Sequence, residues 1–123
     1  MLNTCSFIGN LTADPKYFEG DSPRATFTLA VDRDYANSDG EKTSDFLDFV
    51  VWNSTADFVA KHFHKGDIMT VCNSRAQVRV FTNEDGVRKR IIQFVDGKCY
   101  FGAQKKPDDI EELFDTQSID IDK

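Results

Sequence analysis

The chain has 123 residues, 40% hydrophobic and 29% charged, which gives room for one domain with a modest core and leaves no apolar run near the roughly 20 residues of a membrane span. The opening MLNTCSFIGNL has neither a basic leader nor a long apolar stretch, so no signal peptide is expected. The formal charge of −6 is unevenly spread: residues 1–107 hold 14 Lys+Arg and 14 Asp+Glu, while residues 108–123 hold seven acids and Lys123, so a polyanionic ligand is not excluded.

Alternating apolar patterns predict a first strand over residues 3–11. After Asp14-Pro15 comes a polar loop with Gly20 and Pro23, then ATFTLAVDR, a strand with Phe27, Leu29 and Val31 on one face. A loop centred on Asp39-Gly40 leads to DFLDFVVWN over residues 45–53. One helix is expected over residues 54–64, with Ser54 as N-cap, Asp57 three residues on, and Phe58, Val59 and Phe63 as its apolar stripe; Gly66 should stop it. Strands follow over residues 68–81, 87–95 and 99–101, joined by turns at Asn83-Glu84-Asp85-Gly86 and Asp96-Gly97. Three strands, a short helix, a long hairpin and a closing strand describe an all-β protein with one short helix. That order suits the OB-fold, a five-stranded Greek-key β-barrel with the helix plugging it between the third and fourth strands. The expected domain is residues 1–104, followed by an acidic, disordered C-terminal tail over residues 105–123 that can serve as a docking peptide.

The strand DFLDFVVWN carries large apolar side chains on both faces. Leu47, Phe49 and Val51 can build the core, whereas Phe46, Asp48, Val50 and Trp52 share the other face and need a second partner. In SRAQVRVF, Ala76, Val78 and Val80 can face the barrel, which leaves Arg75, Gln77, Arg79 and Phe81 together outside. The returning strand adds Arg88, Lys89 and Arg90 near the hairpin tip, and Tyr35 lies in the loop between the earlier strands. Rings interleaved with cations suit a single-stranded nucleic acid, whose bases stack at ~1–3 kcal/mol each while its phosphates meet the cations. Any single charge on the hairpin can equally serve to blunt an exposed edge, and a structural second layer remains the alternative for the aromatic face. No metal or cofactor is expected: Cys5, Cys72 and Cys99 have no CxxC spacing, and His62-Phe63-His64 lacks neighbouring ligands. No acid/base constellation points to an enzyme.

The segments FIGNLTADP, FTLAVDR, DFLDFVVWNSTADFVAKHFHKGD and SRAQVRVFTNEDG, in this order and spacing over residues 1–101, resemble bacterial and phage single-stranded DNA-binding proteins. The resemblance implies an OB fold that assembles as a homotetramer, or in some members a dimer, with DNA wrapped over the aromatic face. It places stacking aromatics at Tyr35, Phe46, Trp52 and Phe81 and cations at Arg79 and Lys65, with Arg33 and Arg75 as additions; Lys89 and Arg90 join the candidate site from the strand reading of the hairpin. The implied role is sequence-tolerant binding and protection of single-stranded DNA in replication, recombination or repair, in the cytoplasm of a bacterium or of a phage-infected cell.

The departures are specific. Thr4, Asn10, Ala13 and Ser54 stand where such proteins commonly carry Lys or Arg, Asp48 stands on the aromatic face, and the segment over residues 16–24 is about two residues short. The Gly- and Pro-rich linker and the terminal Pro-Phe are replaced by an acidic stretch in which Ile110, Leu113 and Phe114 are the candidate contacts for replication or recombination proteins. The alternative reading is an OB-fold adaptor of a replication or recombination complex, its aromatic face covered by another subunit.

Overall fold

A computed structural model describes residues 1–102, and among these it has strands β1 (Cys5–Leu11), β2 (Lys16–Phe18), β3 (Arg24–Ala36) and β4 (Lys42–Trp52), helix α1 (Asn53–His62), then β5 (Ile68–Thr82), β6 (Arg88–Val95) and β7 (Lys98–Phe101). β1 pairs with both β3 and β5, β3 pairs with β4, β4 runs parallel to β6, and β6 returns along β5. Those five strands therefore close a ring, as the order of elements predicted. β2 and β7 are additions to it, on β3 and on β5. The expected polar loop over residues 16–24 thus contains a strand, with Tyr17 opposite Ala25 and Phe18 opposite Arg24. Three residues are too few to show an alternating pattern.

Closure needs β1 to pass from one neighbour to the other, and Gly9 permits it: a Cβ there would lie 2.6 Å from the carbonyl oxygen of Ala30. The inward faces of β3 and β4 then meet as the alternation predicted, with Ala25, Phe27, Leu29, Phe49 and Val51 buried. Phe27 and Phe49 stack at 5.2 Å between ring centroids and 9° between planes, while Phe7 meets Phe49 and Phe94 edge-on.

The helix sits where expected in the order of elements but is shorter and capped differently. Ser54 is not its N-cap; Trp52 holds that position in extended geometry without a side-chain cap bond. Asn53 takes φ +55 and donates its N–H to the Pro23 carbonyl at 2.7 Å, so β4 turns into α1 without a separate loop. Asp57 is committed elsewhere, accepting the Tyr17 hydroxyl at 2.6 Å. At the other end the backbone becomes extended at Phe63, whose ring is buried with Ala56 and Val59 in the base of the barrel. The helix therefore stops at His62, before Gly66, which occupies the following turn with φ +90.

One face assignment fails along the β5–β6 hairpin. Val78 and Ile92, opposite one another, are 52% and 60% exposed, and Val80 is exposed beside them. Beyond Ala76 and Phe94 the hairpin outruns the barrel, so its inward side has no core beneath it. By contrast Phe49 is 1% exposed, and Phe49→Ala should cost ~3–5 kcal/mol, read as a lower urea midpoint.

Candidate nucleic-acid interface

The register of the sheet aligns the outward side chains in rows. One row crosses three strands as Phe18, Arg24 and Trp52; a second runs Val50, Val95 and Arg75; a third runs Asp48, Gln93 and Gln77. The sheet's curvature folds these rows into an open groove of about 300 Å³, with Phe18, Arg24 and Trp52 on one wall and Arg75, Gln77 and Arg79 on the other. The Arg24 guanidinium stands over the Phe18 ring at 4.4 Å from its centroid. A ring wall facing a guanidinium wall gives a planar base a stacking surface and its phosphate a cation.

Of the residues selected from sequence, the groove brings together Trp52, Arg75 and Arg79. Phe46 lies farther along the outward face of β4 and is 68% exposed; Phe81 lies farther along β5, exposed and opposite Lys89. Tyr35 belongs to strand β3 and not to the expected loop, since that strand continues to Ala36, and its ring is 80% exposed. The remaining cations sit apart. Arg33 Nη2 donates to Asp45 Oδ1 at 2.8 Å and its Nε to Oδ2 at 3.2 Å, and Asp45 alternates with Phe46, on the side of Leu47 and Phe49. The hydrogen bond from Arg33 holds the Asp45 carboxyl below the usual carboxylate range, and the same bond raises the Arg33 pKa. Arg90 is opposite Val80, on the reverse side of the hairpin from Lys89. Lys65 lies in the turn after α1, where its N–H donates to Asp14 Oδ1 at 2.8 Å; Asp14 lines a second groove with Lys16, Thr28 and Asp48.

Carboxylates temper this face. Asp48 accepts the Thr28 hydroxyl at 2.6 Å, and Asp96 takes the Arg75 guanidinium at 2.5 Å inside the first groove. Phe18 and Arg24 are the site residues that sequence reasoning missed. An aromatic in an otherwise polar segment, and an arginine in phase with the outward residues of ATFTL, were the available signals.

Nothing among the described residues gathers three or more His, Cys, Asp or Glu side chains for a metal, and none of their helices is long and apolar enough to cross a membrane. Burial, then the nearby Cys72, pushes the Cys99 thiol up to about 12, so it stays protonated at neutral pH and is no nucleophile. The candidate tail contacts Ile110, Leu113 and Phe114 lie outside the described residues.

Comparison with known proteins follows the same line. The chain is 37% identical over 97 residues to the single-stranded DNA-binding protein of Lactiplantibacillus plantarum, covering 77% of this chain and 48% of that protein. It is 34% identical over 122 residues to the single-stranded DNA-binding protein of Caldanaerobacter subterraneus subsp. tengcongensis, covering 92% and 81%. With that of Bacillus cereus the identity is 35% over 114 residues, covering 85% and 66%. The chain thus spans about half the length of the first of these relatives and most of the second. The profile of the Single-strand binding protein family matches residues 2–101, and the chain belongs to that family.

Proposed function

We propose that this chain binds single-stranded DNA with little base preference and protects it during replication, recombination or repair, without catalysing a reaction on it. The observation that carries this reading is the open groove in which Trp52 and Phe18 face Arg75 and Arg79. Bases of a single strand stack on Trp52, Phe18 and, along the same outward face, on Phe46 and Phe81, with Tyr35 at the end of β3. Phosphates meet Arg79 and Lys89 first, because Arg75 and Arg33 already have carboxylate partners. Duplex DNA hides its base faces and gains only the phosphate contacts.

Binding is multiplied by assembly, with a homotetramer favoured over a dimer. The exposed apolar residues Val78, Val80 and Ile92, on the reverse of the β5–β6 hairpin, offer a contact surface that leaves the groove open. The binding domain ends near residue 104, and the acidic segment beyond it, with Ile110, Leu113 and Phe114, is the candidate docking peptide for replication or recombination proteins.

Titration with oligothymidylates should quench the fluorescence of Trp52, the single tryptophan. An unchanged emission together with no retained DNA at low salt would refute the reading. Trp52→Ala should weaken binding to all sequences by ~1–3 kcal/mol, the worth of one stack, in the same titration with a second fluorophore on the DNA. Arg79→Ala should lower the slope of log affinity against log salt by about one unit. Asp48→Asn keeps the acceptor for Thr28 while removing a charge from the face, and should tighten binding at low salt; equal affinity would place that part of the face off the DNA path.

A further inference from the structure

We propose that Asp96 makes the groove selective for single strands over duplex by engaging Arg75 in an internal ion pair. The inference rests on the reading of this face as a single-strand surface and names a residue that limits what that surface accepts.

Arg75 and Asp96 both line the groove, and the pair is open to solvent, their side chains being 60% and 47% exposed. The two ends differ in freedom. Asp96 opens the tight turn between β6 and β7 with φ +62, and its N–H donates to the Val50 carbonyl at 3.3 Å. Gly97 beside it is buried so closely that a Cβ would lie 2.4 Å from Val71 Cγ1 and 3.0 Å from Ser74 Cβ. The carboxylate is therefore fixed to the rim by its backbone, while the long arginine side chain is the member that can move. Arg79, four residues along the same face of β5, forms no ion pair among the described residues.

A phosphate that approaches Arg75 must displace a carboxylate already bonded to it, and then sits beside the freed negative charge. Exchanging one anion for another gains little where an unpaired guanidinium would gain a whole contact. The penalty is larger for a duplex, which releases about 0.9 counterion for each cation it meets against about 0.7 for a single strand, and only a single strand also gains by stacking on Trp52 and Phe18. Duplex DNA offers phosphates alone, so an occupied Arg75 removes a larger share of its attraction. Discrimination built from a repulsive element is a general route to specificity. In a face whose cations are few, one such pair has leverage.

Asp96→Asn is the test, because asparagine tolerates the left-handed backbone and keeps the side-chain shape. Wild type and variant are titrated with an oligothymidylate and with a mixed-sequence duplex of equal length over a series of salt concentrations. The expected result is that duplex affinity rises by a larger factor than single-strand affinity, and that the duplex salt slope steepens by about 0.9 unit for the released cation. Arg75→Gln should cancel the gain in the Asp96→Asn background, because that gain requires the freed guanidinium. Weaker single-strand binding by Asp96→Asn, or an equal gain for both ligands, overturns the proposal in favour of Asp96 aiming Arg75 or acting through bulk charge. Wild type that binds oligothymidylate beside a variant with unchanged slopes overturns it alone. Wild type that retains no oligothymidylate overturns the single-strand reading, and the selectivity proposal falls with it.

Discussion

The fold depends on β1 pairing along both of its edges, with β3 on one side and β5 on the other. That double pairing closes the sheet, and it is possible because Gly9 lets the two backbones approach so closely that a Cβ there would lie 2.6 Å from the Ala30 carbonyl oxygen. Once the ring is closed its inside is fully committed: Phe7, Phe27, Phe49 and Phe94 pack ring against ring, and α1 with Phe63 covers the base. Nothing within the barrel remains to bury the outward rings. Phe46, Trp52 and Phe81 are left as a surface by the same closure that completes the core.

The charge of the barrel as a whole is close to balanced, with a slight acidic excess, and this shapes what its outward face does. Residues 1–102 carry 12 Lys+Arg, the fourteen up to residue 107 less Lys105 and Lys106, against 14 Asp+Glu. Attraction for a phosphate backbone is therefore weak over the barrel as a whole and concentrated at a few side chains. The arginines at 33 and 75 are paired with Asp45 and Asp96, while Arg24 lies over Phe18. Stacking carries a larger part of binding on such a face than it would on a basic one, and the salt dependence should be correspondingly shallow.

The barrel was legible in the sequence because alternation survives wherever one face is buried. ATFTLAVDR and DFLDFVVWN named their own core positions, and the Asp-Gly turns marked both hairpins; the carboxamides of Asn37 and Asn83, which accept two backbone N–H groups each, complete those turns. What was hidden depends on distant contacts. β2 is only three residues long and exists because β3 offers an edge. Ser54 looked like a cap, but Asn53 and Pro23 fix the entry to α1, and Asp57 answers to Tyr17. Val78 and Val80 alternate like core residues, yet the barrel ends before it reaches them. At the site, Trp52, Arg75 and Arg79 follow from alternation alone, whereas Phe18 and Arg24 join them only through register across three strands. The ion partners of Arg33 and Arg75 lie 12 and 21 residues away in sequence and no local pattern announces them.

On the proposed reading, the outward rings are a free surface for DNA and not an interface with another protein subunit. Hydroxyl-radical footprinting of the native protein, with and without oligothymidylate, reads this ring by ring. Phe18, Phe46, Trp52 and Phe81 should be oxidised in the free protein and protected when DNA is added, while Phe49 stays unreactive throughout. Rings already protected without DNA, or oxidised equally with it, would contradict the account.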